Sequence, residues 1–124
     1  MTPALLLRLA SALTLVQYTA HSALFLSATS ARESSSHFGY GLIAILYGAL
    51  EIVLLWQIGA LARDEPRRAR PMIALLTGAN LIHALLVWTY FRIIPAVAFD
   101  VLVAGVLVAA LFATRRRSSD GGVA

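Results

Sequence analysis

The chain has 124 residues, 60% of them hydrophobic and only 13% charged, against about 25% charged in an ordinary soluble domain. That balance excludes a water-soluble globular fold and indicates one small membrane domain. There are no cysteines, so disulfides, thiolate-bound zinc, iron–sulfur clusters and thiol redox chemistry are excluded. The net charge of +4 is carried by arginine alone, and its clustering beside apolar runs marks membrane topology rather than nucleic-acid binding.

The first helix is predicted over 4–28, with Pro3 suited to its opening turn. The uncharged run from Leu9 to Ala31 meets the requirement of about 20 residues for a span. A signal peptide is the competing reading, with Arg8 as its basic end and Thr29-Ser30-Ala31 as a cleavage site. Gln17 and His21 interrupt that pattern, and the run exceeds the length of an ordinary signal core. A serine-rich loop from Thr29 to Phe38 follows.

The second helix, predicted over 39–61, crosses a bilayer if Glu51 is tolerated. The stretch Arg63 to Pro71 is expected to interrupt the chain, since Pro66 and Pro71 cannot continue a helix interior. The third helix is predicted over 72–91, and the short link from Arg92 to Pro95 forces the fourth, over 95–114, to pack antiparallel beside it. That last helix spans if Asp100 is tolerated, and residues 115–124 are expected to form a disordered basic and polar tail. The fold class is therefore all-α, a single antiparallel bundle of four transmembrane helices over 1–114. Small residues at four-residue spacing, namely Ala44 with Gly48, Ala74 with Gly78, and Gly105 with Ala109 and Ala113, offer close helix packing in lipid.

An even number of spans puts Arg8, Arg63, Arg67, Arg68, Arg70 and Arg115 to Arg117 on one side and leaves Arg32 and Arg92 opposite. This bias assigns both termini to the cytoplasm and the protein to the inner membrane as a multi-pass protein.

Ionisable side chains at membrane depth are costly and mark sites by default. At 1.5 Å of rise per residue, His21 is expected roughly 9 to 10 Å below the outer boundary, Asp100 roughly 8 Å, His83 and Tyr47 roughly 12 Å, Tyr18 roughly 14 Å and Glu51 roughly 18 Å. The outer half thus gathers polar groups from all four helices. Gln17 with His21, Tyr47 with Glu51, and Asn80 with His83 are spaced to share helix faces, and lipid turns such faces inward. Structural alternatives stand beside each: Glu51 as a buried strut, Asp100 as an ion-pair partner of Arg92, and His21 and His83 as helix–helix ties. Trp88 and Tyr90 fall where an aromatic belt is expected.

A carboxyl and an imidazole facing one cavity suit general acid–base chemistry. On this reading Glu51 is the proton donor, His21 and His83 are base or orienting partner, and Asp100 supports them. Tyr18, Tyr47, Asn80 and Trp88 line the site and contact a lipophilic substrate, in part through ring faces. Isomerisation or cyclisation of an isoprenoid- or polyketide-like molecule fits that logic, with no cofactor and no metal. One alternative is a non-enzymatic accessory or transporter subunit, for which so narrow a bundle requires a homo-oligomer. Another is an electron carrier with haem b held between His21 and His83. A di-metal carboxylate centre lacks the helix-borne Glu-x-x-His pairs it requires.

Three segments carry a resemblance: Leu9-Ala10-Ser11-Ala12-Leu13-Thr14-Leu15 with His21, Leu54-Leu55-Trp56-Gln57-Ile58-Gly59, and Val87-Trp88-Thr89-Tyr90-Phe91 before Pro95. Together they resemble a family of small uncharacterised four-helix bacterial integral membrane proteins. The resemblance covers about Leu5 to Ala113; it implies the four-span fold and carries no activity with it.

Overall fold

In the computed structural model, which describes residues 1–28 and 35–120 and the side chains of 1–25 and 41–115, the chain forms four helices. These are α1 (Pro3–Ala28), α2 (Ser35–Asp64), α3 (Pro66–Tyr90) and α4 (Ile94–Asp120), with no strand among the described residues. The helical expectation holds. Most of the serine-rich loop and the last four residues lie outside the described residues.

The connections are shorter than the prolines suggested. Pro66 begins α3 at its first position, where the missing N–H is not needed. Pro71 sits inside the helix, and its ring forfeits one i→i−4 bond, to the carbonyl of Arg67, an exposed residue. Glu65 alone separates α2 from α3 and donates its N–H to Leu61 O at 2.7 Å. At the other end Arg92 takes φ 53, the left-handed region that L-residues rarely adopt. Its N–H returns to Val87 O at 2.9 Å, which closes α3 and turns the chain into α4. α4 continues to Asp120, so the arginines of the expected tail fall within the helix.

Each helix packs on its chain neighbours and α4 returns to α1; the α2–α3 interface is the thinnest of these four. α1 and α2 run antiparallel in a register set by glycine. Phe25 covers Gly41, the Tyr18 ring lies where a Gly48 Cβ would stand, and a Cβ on Gly59 would be 3.5 Å from Leu7 Cβ. All three glycines are buried, and such close approach is how helices associate where lipid removes the hydrophobic drive. Of the small residues read as packing elements, Gly48 serves that role. Gly78 and Gly105 have nothing within 4 Å of an added Cβ.

The interior divides lengthwise. Toward the end that carries Arg8, Arg63 and Arg115, the core is apolar apart from the Thr114 hydroxyl, which bonds to Leu111 O, and Leu7, Leu55, Ile73 and Leu107, one from each helix, are fully shielded. Toward the opposite end the buried residues include Glu51, Asn80 and Asp100. The outer surface is strongly apolar, with Leu5, Val16, Leu46, Leu75, Leu85 and Leu102 among many exposed large side chains.

Among the described residues three segments are long and apolar enough to cross a membrane: Gly41–Asp64, Pro66–Tyr90 and Ile94–Arg115. α1 has the length, 26 residues, but Arg8, Gln17, Tyr18 and His21 dilute its apolar character.

Candidate functional site

The polar groups of the upper interior form two linked contacts at neighbouring levels. In the first, Gln17 of α1 donates from Nε2 to Asp100 Oδ1 at 2.7 Å, and His83 Nδ1 of α3 lies 2.9 Å from Asp100 Oδ2. Both carboxylate oxygens are thus engaged, and the Asp100 side chain is only 2% exposed. An acceptor at Oδ2 places the imidazole proton on Nδ1 and leaves the Nε2 lone pair directed away from the carboxylate.

One turn nearer the arginine-rich end, Asn80 donates from Nδ2 to Glu51 Oε1 at 2.6 Å and to Leu76 O at 3.0 Å. Asn80 and His83 share one face of α3, so that helix holds both acids. Glu51, Asp100 and His83 are within electrostatic reach of one another. No buried side-chain nitrogen or oxygen among the described residues lacks a hydrogen-bond partner, which lets acids persist at this depth.

Exposure separates the members. Glu51 and Asp100 are buried, whereas the His83 side chain is 37% exposed. Tyr47 stands beside His83 with ring centroids 6.2 Å apart and is itself exposed, its hydroxyl making no hydrogen bond among the described residues. His83 and Tyr47 are therefore the members of the cluster that reach the bundle surface.

The structure brings together Glu51, Asn80, His83, Asp100 and Tyr47 from the residues read as a site. Asp100 faces inward to Gln17 and His83, not to Arg92, which is exposed. His21 stands apart: it is exposed, and its described contact is an edge-on approach to the Tyr18 ring at 6.5 Å between centroids. Tyr18 packs between α1 and α2 on Gly48, and Trp88 lies exposed near the end of α3.

Gln17 is the member that sequence reading paired with His21 rather than with an acid. Its signal was an amide interrupting an apolar helix, which in lipid demands a partner. Ser11 adds a further tie, donating to Ile52 O at 3.3 Å. Among the described residues no group of three or more His, Asp or Glu is placed to hold a metal ion.

In comparisons with known proteins, no family model matches the chain, and no curated protein or solved structure matches it.

Proposed function

We propose that this is a four-span inner-membrane protein, both termini cytoplasmic, that binds a lipophilic small molecule at the Asp100–His83 pair and catalyses acid–base isomerisation of it. Kinship with small four-helix bacterial membrane proteins belongs to the same proposal. The span assignment of α1 is supported by its own lipid-compatible surface, since Leu5, Leu9, Leu15, Val16 and Leu24 are all exposed. An apolar exterior around a partly polar interior is the pattern a bilayer selects.

The observation that carries the reading is the engagement of both Asp100 oxygens, by Gln17 and by His83, which orients the imidazole with Nε2 free. One such base suffices for a double-bond shift. Nε2 removes a proton from the carbon between a carbonyl and a double bond, the imidazolium is stabilised by the Asp100 carboxylate, and the proton returns two carbons along. Atoms and electrons balance with no co-reactant. Tyr47 is placed to donate to the substrate carbonyl and stabilise the enolate. Glu51, tied to Asn80, contributes a second acid at the next level.

Two features favour this over the alternatives. The apolar plug of Leu7, Leu55, Ile73 and Leu107 closes the arginine-rich half, which supports a one-ended site over a transport path. His21, exposed and apart from the His83–Asp100 network, favours acid–base chemistry over a bis-imidazole haem.

The test is deuterium exchange. Membranes containing the protein, given β,γ-unsaturated isoprenoid ketones in D2O, are expected to incorporate deuterium at the acidic carbon, and His83→Gln to lower that rate by about 100-fold or more. Exchange unchanged in His83→Gln contradicts the proposal.

A further inference from the structure

The seam between α2 and α3 is built differently from the other interfaces. On α2 the residues Tyr47, Leu50, Leu54, Gln57 and Leu61 recur at alternating three- and four-residue steps, and on α3 Met72, Leu76, Ala79 and His83 do the same. Such spacing aligns side chains along one helix face and normally zips two helices together. Here the faces stay ajar. The α2–α3 contact is the thinnest between neighbouring helices, and Tyr47, Leu50, Leu54 and Met72 all retain substantial exposure.

At its arginine-rich end the seam opens into a groove of about 330 Å³ lined by Val53, Leu54, Gln57, Ile58, Leu61 and Met72, a volume within the range of roughly 300–1,000 Å³ typical of small-molecule sites. Gln57 is the polar member of this lining, and its amide has no hydrogen-bond partner among the described residues. At the other end the same seam is bridged by the Tyr47 and His83 rings. Ten residues of helix separate Tyr47 from Gln57, a run of about 15 Å.

We infer that the α2–α3 seam is the binding cleft for a single-chain ketone of isoprenoid or acyl type. Its carbonyl head lies at Tyr47 and His83, and its chain lies along Leu50 and Leu54 into the groove beside Gln57. The inference rests on the acid–base reading of His83 and adds the substrate's shape and orientation. A polar end, a long apolar middle and a terminal groove that is apolar except for Gln57 match a molecule with one polar head and a long main chain. A compact polycyclic ligand, by contrast, would leave the groove unfilled. The Gln57 NH2 donates to a second oxygen near the chain's far end, and its carbonyl accepts from a hydroxyl, so oxygenated tails are accepted there.

The experiment uses the full chain in phosphatidylcholine nanodiscs and a geranylacetone analogue carrying a diazirine at the chain end remote from the carbonyl. After irradiation, adducts are mapped by peptide mass spectrometry. The expected result is labelling concentrated on Val53 to Leu61 and Met72, reduced on the order of tenfold both by Leu54→Trp, which fills the groove, and by Tyr47→Phe, which removes the head's donor. Leu54 is partly exposed, so its replacement leaves the packed interior alone, and unchanged background labelling of α1 and α4 reports an intact fold. Labelling spread evenly over all four helices, or indifferent to Leu54→Trp, overturns the cleft. If His83-dependent deuterium exchange persists in that case, the acid–base reading survives and only the seam assignment falls. Seam labelling accompanied by no His83-dependent exchange overturns the shared premise instead.

Discussion

His83 Nδ1 lies 2.9 Å from Asp100 Oδ2, and this contact joins α3 to α4 deep within the apolar bundle while Gln17 holds the other carboxylate oxygen from α1. Removing the acid leaves Gln17 and His83, both half-buried, without their acceptor. Asp100→Leu is therefore expected to cost about 2–4 kcal/mol, combining two lost interhelical bonds with the desolvation of the groups left behind. Asp100→Asn, which keeps one acceptor oxygen, is expected to cost less than half as much. Reversible unfolding of the reconstituted protein measures both, and a double-mutant cycle with His83→Leu should give a coupling of about 1 kcal/mol.

The glycine register of α1 on α2 makes a contrasting pair of predictions. Gly48→Ala places a methyl where the Tyr18 ring lies and should destabilise by about 1–3 kcal/mol through forced repacking. Gly78→Ala and Gly105→Ala meet nothing and should be neutral or stabilise by up to about 1 kcal/mol through helix propensity. Thermal unfolding in one detergent, with all three variants side by side, checks the order.

Glu51→Gln retains an oxygen that accepts from Asn80, so its stability should stay within about 0.5 kcal/mol of the parent. Deuterium exchange in the same variant then reports the acid role separately from the structural one: a loss of about tenfold or more is expected, and no loss contradicts a part for Glu51 in the chemistry.

Arg92 holds φ 53 between α3 and α4, a conformation that costs an L-residue roughly 1 kcal/mol. Arg92→Gly should raise stability by up to that amount, and Arg92→Pro, whose ring forbids a positive φ, should lower it by several times as much. The same unfolding assay distinguishes them.

Topology is directly accessible because the chain has no cysteine. Single cysteines at Ser34 and Ser118 should differ in labelling of intact cells by a membrane-impermeant maleimide, with Ser34→Cys reactive and Ser118→Cys protected until lysis. Equal reactivity of both would contradict the three crossings, by α2, α3 and α4, that separate these two positions.

Much of this architecture is legible in the residues themselves. Apolar run length announces the helices, and the arithmetic that put Asp100 and His83 at similar levels agrees with the contact between them. The failures are informative. Gln17 and His21 stand about 40° apart around α1, enough for one to turn toward Asp100 while the other faces outward; spacing shows which residues share a face but not where the neighbours' cover ends. Gly41 and Gly59 gave no small-xxx-small pattern, since their importance comes from Phe25 and Leu7 on a different helix. The Arg63–Pro71 stretch read as a loop because two prolines suggest a break, yet Pro66 at the first helical position favours a start. Gln17 as the partner of Asp100 was illegible for the same reason as the glycines: a pairing across 83 positions is decided by packing, not by local sequence.

The most direct measurement for a lipophile held at His83 and Asp100 is mass spectrometry of the protein purified from its own membrane in lipid discs, compared with His83→Leu and with Gly105→Ala as a surface control. One dominant lipophilic carbonyl compound is expected from the parent and the control, strongly depleted in His83→Leu. An identical lipid complement in all three would contradict it.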